Sequence, residues 1–202
     1  MTRIIAGSAG GRVIKTPPSG TRPTTDRVRE ALFSLLEARL GGRDGWSGLA
    51  VADLYAGSGA LALEALSRGA ASALAVESSR PAARTLEANA RVLGFEDRLT
   101  VECRRVEDSL ARGALKRTAP FDLLFLDPPY SLGAGELDAV LGGLAQALAP
   151  GGLAVVERSS RSPAPTWPTA WEPLDCRAYG ETTVHLARPN PQLATPPKTA
   201  AR

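Results

Sequence analysis

Short apolar runs recur along the chain, each closing on a polar or turn-forming residue: Leu49–Ala52, Ala73–Val76, Leu99–Cys103, Phe121–Leu126 and Leu153–Glu157. Runs of this length predict strands largely buried on both faces, as in a parallel sheet. Segments of helical period lie between them. One follows the first run and is amphipathic through Leu66; another spans Glu136 to Leu148 and is ended by Pro150-Gly151-Gly152. This alternation predicts an α/β fold built on a seven-stranded, mostly parallel, doubly wound sheet. The Pro-rich stretch Arg161 to Pro173 reads as a loop, and the two remaining short runs, one of them Thr182–Leu186, as an antiparallel edge pair. Upstream, Arg3 to Lys15 has two β-like runs around a Gly-rich turn and reads as a hairpin. Pro23-Thr24-Thr25-Asp26 supplies helix-start chemistry, followed by a core-facing stripe of Val28, Ala31, Leu32, Leu35, Leu36 and Leu40. The expected organisation is a hairpin-and-helix extension over 1–45, a main domain over 46–188 and a disordered tail over 189–202.

Composition narrows the class. A chain of 202 residues buries one good core and has little room for a second full domain. No apolar run reaches membrane-spanning length, and Met-Thr-Arg-Ile-Ile-Ala-Gly lacks a signal-peptide core, so a cytoplasmic location is expected. Cys103 and Cys176 stand far apart in unrelated contexts, which suggests neither a disulfide framework nor a zinc site, and Cys103 is expected in the core. The net charge is only +3, yet Arg3, Arg12, Lys15, Arg22, Arg27, Arg29, Arg39 and Arg43 precede residue 49 against four acids, Asp26, Glu30, Glu37 and Asp44. Such a basic front end suits a phosphate backbone, an ordinary solvated surface being the plainer reading.

Three motifs carry chemistry. Asp53-Leu54-Tyr55-Ala56-Gly57-Ser58-Gly59 joins a strand to a helix, and its glycines let the backbone approach a ligand. Ala62 replaces the third glycine of the dinucleotide fingerprint, which weakens a nicotinamide reading. Glu77, at the tip of the next strand, can hold both hydroxyls of a ribose. Asp127-Pro128-Pro129-Tyr130 closes the fourth strand. A carboxylate and a carbonyl there can accept hydrogen bonds from one exocyclic amino group while the aromatic ring stacks on a planar base. Together the motifs point to an S-adenosylmethionine cofactor and methylation of an amino nitrogen. The segment Arg104-Arg105-Val106-Glu107 is placed to frame adenine, with the Val106 N–H as the candidate contact. No metal is called for. A serine hydrolase using Ser58, Asp127 and His185 follows the right chain order but leaves Glu77 and the Pro-Pro motif unexplained. A non-catalytic RNA-binding module would leave the same cofactor positions without a purpose.

The block Arg22-Pro-Thr-Thr-Asp-Arg-Val-Arg-Glu-Ala-Leu-Phe33, then Asp53 to Gly59 with Leu61, Glu64 and Ala65 to Ala70, then Asp127 to Tyr130, resembles the 16S ribosomal RNA guanine(966)-N2 methyltransferase family. The resemblance runs from Arg3 to about Arg188. It implies a Rossmann-like class I methyltransferase. Its partner would be 16S ribosomal RNA or a small-subunit assembly particle, met by a monomer. It also implies that Arg22, Thr24, Asp26 and Arg29, with the hairpin's Arg3, Arg12 and Lys15, face RNA. Adenine-N6 modification of nucleic acid and glutamine modification of protein stay open as alternatives.

Overall fold

The computed structural model describes residues 2–16, 26–113, 115, 118, 120–129 and 131–192. Arg22, Thr24, Tyr130 and residues 193–202, all named above, lie outside the described residues. The chain opens with β1 (Thr2–Arg3) and β2 (Val13–Ile14), paired antiparallel as a hairpin with strands of only two residues. Helix α1 (Asp26–Arg39) follows, with Leu32 and Leu36 of the predicted stripe fully buried and Phe33, outside that stripe, buried beside them. The alternating domain comprises β3 (Ala50–Leu54), α2 (Ala60–Arg68), β4 (Ser72–Glu77), α3 (Arg80–Leu93), β5 (Leu99–Cys103), α4 (Val106–Ala111), β6 (Phe121–Leu126), α5 (Ala134–Leu144) and β7 (Leu148–Ser159). Two further strands, β8 (Trp171–Tyr179) and β9 (Thr182–Pro189), complete it.

The sheet order is β5-β4-β3-β6-β7-β9-β8. Strands β3 to β7 pair in parallel, and β9 inserts antiparallel between β7 and β8. One apolar cluster packs the sheet against α1, α2 and the hairpin; a second packs its other face against α5. The extension therefore shares the domain's core: Ile4 and Ile14 sit in the same cluster as Phe125 and Val155. Phe33 of α1 stacks on Trp46 at 5.3 Å and meets Phe125 of β6 at 5.7 Å.

The hairpin is seated by polar contacts on α2. Glu64, fully buried, accepts from Ile5 N–H at 2.7 Å and Ala6 N–H at 3.1 Å, and from Arg68 Nε at 2.8 Å. Arg68 also binds Glu37 of α1 at 2.7 Å. Gly7 crosses α2 in the left-handed region, φ +82°, where a Cβ would lie 1.9 Å from the Ser67 carbonyl oxygen. Only glycine fits that crossing without moving backbone.

Several sequence expectations shift at element ends. Cys103 is exposed, because β5 is an edge strand and Cys103 its last residue. The helix expected from Glu136 spans Ala134–Leu144 and continues as a 3-10 turn over Ala145–Ala147. Strand β7 begins at Leu148, earlier than Leu153, its Pro150-Gly151-Gly152 absorbed where the register against β6 slips between Phe121 and Leu123. Strand β8 begins at Trp171 inside the expected loop, and Pro173 is accommodated on an edge strand beside an irregularity. Pro189 and Asn190, expected in the tail, are instead part of the ordered fold, since Pro189 ends β9 and Asn190 N–H donates to the Ala170 carbonyl at 2.8 Å.

Candidate active site

Strand order reverses between β3 and β6, and ligands of open α/β sheets bind outside the carboxyl ends of strands at such a point. A cleft of about 710 Å³ lies there, within the range of small-molecule sites. Asp53, Ala56, Gly57, Ser58, Glu77 and Val106 line it on one side, and Asp127, Pro128 and Pro129 on the other. Gly59 does not line it. Its φ of +79° turns the chain into α2, and a Cβ there would meet Leu86 Cγ at 2.7 Å.

The glycine loop is held by backbone geometry and two acids. Gly57 (φ 55°) donates its N–H to Glu77 Oε2 at 2.8 Å, and Ser79 N–H donates to Glu77 Oε1 at 2.7 Å. Each carboxylate oxygen keeps acceptor capacity beyond these bonds. Asp53, 1% exposed, accepts the Ala62 N–H at 3.0 Å. Gly59 has no side chain to cap α2, so Asp53 performs that task from the neighbouring strand. Burial pushes the Asp53 carboxyl from 3.8 up to about 7, against the Ala62 hydrogen bond, with the charges of Asp127 and Glu77 adding to the rise.

That shift sets a pH dependence. Between about pH 4 and 7 the native chain keeps a proton that the unfolded chain has released, so stability falls as pH rises through this window. Asp53→Asn, which can still accept the Ala62 N–H, is expected to flatten that slope in urea titrations between pH 4.5 and 7.5. An unchanged slope would assign it to other groups.

No sequence pattern marks Tyr55 for a role of its own, although it stands inside the glycine loop. It adopts φ +67°, a conformation that costs a non-glycine residue about 1–3 kcal/mol. Its hydroxyl donates to Glu107 Oε1 at 3.2 Å, and Arg105 Nε donates to Glu107 Oε2 at 3.1 Å. Burial and the Glu107 charge push the phenol pKa up, so the donor stays protonated. Tyr55 thus ties the glycine loop to the Arg104–Glu107 segment, and both line the cleft. Val106, 2% exposed, is the first residue of α4.

On the β6 side of the cleft, Asp127 N–H donates to the Leu54 carbonyl at 3.4 Å, which aligns the ends of β6 and β3. The Pro129 carbonyl accepts from Leu132 N–H at 2.9 Å and closes a turn. Arg158, at the end of β7, donates from Nη2 to the Leu132 carbonyl at 3.1 Å and anchors that turn from below. The β8–β9 turn, Tyr179 to Thr182, forms the far wall, which no sequence pattern announced.

The basic front end divides. Arg29 is 1% exposed, lines the cleft, and donates to the Arg3 carbonyl and to Asp26 Oδ1 at 3.1 Å, so it holds hairpin and helix together. Arg3, Arg12 and Lys15 are exposed on the hairpin, outside the cleft, and Arg3 lies 3.8 Å from Asp26. His185 pairs with Val156 inside the sheet and does not line the cleft. Burial and the neighbouring Arg158 charge lower its pKa. The Ser58-Asp127-His185 hydrolase arrangement therefore does not assemble. Among the described residues no group of three His, Cys, Asp or Glu could hold a metal ion, and no helix is long and apolar enough to cross a membrane.

Comparison with known proteins agrees with this architecture. The model of the family described as conserved hypothetical protein 95 matches residues 2–188. Ribosomal RNA small subunit methyltransferase D of Escherichia coli K12 is 36% identical over 186 residues, covering 91% of this chain and 88% of that protein. The Haemophilus influenzae protein of the same name is 32% identical over 188 residues, covering 91% and 92%. The solved structure of a hypothetical protein from Thermus thermophilus superimposes with a TM-score of 0.75 at 32% identity, covering 93% of this chain and 99% of that one. The chain belongs to the family described as conserved hypothetical protein 95, that of the small-subunit ribosomal RNA methyltransferases D.

Proposed function

We propose that this protein methylates the exocyclic N2 of a guanine in 16S ribosomal RNA, with S-adenosylmethionine as donor. The observation that carries the reading is one cleft shared by the glycine loop, Glu77 and Asp127-Pro128-Pro129. The residues fit the cofactor: a loop with two glycines at positive φ, an acid at the tip of β4 and the start of α4 line or frame one side. When bound, S-adenosylmethionine supplies a methyl group on a sulfonium. Asp53 and the Gly57–Ser58 backbone are assigned to its methionine part, Glu77 to the ribose and Val106 to the adenine.

The chain's own residues supply the rest. An exocyclic amino group is a poor nucleophile because its lone pair is delocalised into the ring. Asp127 and the Pro128 carbonyl, accepting its two N–H groups, favour the more pyramidal nitrogen reached in the transition state. Guanine presents N1–H beside that amino group, so an acceptor-only carboxylate at Asp127 faces two donors. Tyr130 is assigned to stacking on the base. A base inside folded RNA must leave its stack to enter, so the target is expected in a loop where flipping costs little.

The relatives named as small-subunit ribosomal RNA methyltransferases support the substrate class. A monomer acting in the cytoplasm on an assembly particle completes the proposal. Large apolar side chains exposed among the described residues are Val13 and Val92, far less than a stable dimer interface buries.

The test uses radiolabelled S-adenosylmethionine with small-subunit particles, or their naked RNA, from cells lacking the protein. Label in N2-methylguanosine is expected after digestion, with particles preferred. Label in N6-methyladenosine would replace the target base, and label in protein-bound glutamine would replace the substrate class.

A further inference from the structure

Charge pairing divides the molecule's surface. Arg39, Arg43, Arg161, Arg177 and Arg188 each have a carboxylate oxygen 2.9–3.6 Å away, which neutralises much of their field. A different set of exposed cations, Arg12, Lys15, Arg27, Arg80, Arg84 and Arg91, has no carboxylate within ion-pair distance among the described residues. They are not scattered. Arg12 and Lys15 belong to the hairpin and Arg27 to the first turn of α1, whereas Arg80, Arg84 and Arg91 fall at i, i+4 and i+11 on α3, one exposed stripe of that helix. Glu87, the single acid of α3, lies on the same stripe between Arg84 and Arg91 but is within ion-pair distance of neither.

The hairpin and α3 form one surface. The Arg12 guanidinium donates to the Val92 carbonyl at the end of α3. Asn89, 4% exposed, accepts the Lys15 N–H at 2.9 Å and donates to the Lys15 carbonyl at 2.9 Å. The same Asn89 amide donates to the Ser58 carbonyl at 3.1 Å, which fixes this surface to the glycine loop. Thr16, one residue beyond Lys15, lines the cleft, as does Ser78 just before α3. The stripe from Arg80 to Arg91 runs roughly 16 Å away from the cleft mouth, at ~1.5 Å per residue.

We propose that the RNA-binding surface continues from the hairpin onto α3, where Arg80, Arg84 and Arg91 bind successive backbone phosphates of the RNA strand that leaves the target nucleotide. This rests on the RNA reading above. Three arginines without an ion-pair contact, against one acid on the same helix face and continuous with the cleft assigned above to a base, match a polyanion in charge and extent. Phosphate contacts of this kind set position and affinity and carry no sequence preference.

The test is filter binding of naked small-subunit RNA across a salt series. It compares wild type with R84Q/R91Q, and with R43Q/R177Q as a control of equal charge change. Two lost phosphate contacts lower the slope of log K against log salt by about 1.4, at ~0.7 per single-strand contact. That slope is worth roughly a tenfold loss of affinity at 0.15 M relative to 1 M salt. The control is expected to match wild type, and S-adenosylhomocysteine affinity should be the same in all three. A second pair, R80Q/R84Q, is expected to repeat the loss. If both α3 pairs keep the wild-type slope while wild type binds and methylates RNA, the α3 surface is refuted and the enzyme reading stands. Wild type that binds neither naked RNA nor small-subunit particles at any salt would overturn both.

Discussion

Asp127→Ala is expected to slow methyl transfer by about 10²–10³-fold, the usual cost of deleting one pre-set hydrogen-bond partner of a transition state. S-adenosylhomocysteine affinity is expected to change only a few-fold, because Glu77, the glycine loop and α4 line the other side of the cleft. The strand should survive the change. Asp127 enters the sheet through its backbone N–H to Leu54, and the four residues before it, Leu123 to Leu126, are fully buried. A second readout separates charge from shape. The Asp127 carboxylate raises the Asp53 pKa, so its removal should lower the pH at which Asp53 titrates. Single-turnover transfer at saturating RNA measures the first effect, and pH-dependent unfolding the second. A variant within fivefold of wild type in transfer rate would remove Asp127 from the reacting centre.

Glu64→Ala should be the most damaging substitution away from the cleft, at about 3–5 kcal/mol of stability. Glu64 is fully buried and accepts three hydrogen bonds, two from the hairpin backbone and one from Arg68. Alanine leaves the Ile5 and Ala6 N–H groups without that acceptor. Arg68, 8% exposed, keeps only Glu37 and its place over the Phe33 ring at 4.9 Å. At about 2–4 °C per kcal/mol for a chain of this size, the melting temperature should drop by roughly 10 °C. If Glu64→Ala melted within 2 °C of wild type, the buried acid would not be what seats the hairpin. Glu64→Gln separates the two tasks, since its one acceptor oxygen can still take a hairpin N–H but no longer offers Arg68 a charge.

The middle of the fold was legible because burial on both faces leaves a plain trace in sequence. Leu99–Cys103 and Phe121–Leu126 match β5 and β6 residue for residue, and Ala73–Val76 lies inside β4. The edges were less so. Cys103 reads as core if β5 is taken as an inner strand, yet strand order makes β5 an edge and leaves its end open. Pro150-Gly151-Gly152 and Pro173 read as breaks, yet both are absorbed into strands where the register is irregular. A local breaker forbids ladder bonds at one residue; it does not forbid a strand that bulges or has no neighbour there.

The same division runs through the site. The glycine loop, the acid at the tip of β4 and the Pro-Pro motif could be picked out as candidates from residue type and spacing, and the fold gathers them at one cleft because each sits within a few consecutive residues at a strand end. Roles that depend on distant partners could not. Arg29 is an RNA-facing candidate by its place in the N-terminal block, and only the fold shows that, buried and bonded to the Arg3 carbonyl, it also holds the hairpin on α1. Asp53 reads as a ligand group, and the fold also makes it the cap of α2. Tyr55 is tied to Glu107 across 52 positions, and Asn89 joins Lys15 and Ser58 across 74 and 31. Residue order was enough for the alternating α/β plan, the candidate residues at the strand ends and the family to which the chain belongs. Which cations remain unpaired, which acid carries the hairpin and which walls close the cleft emerged only on folding, because hydrogen bonds and charges act through space while sequence records only order along the chain.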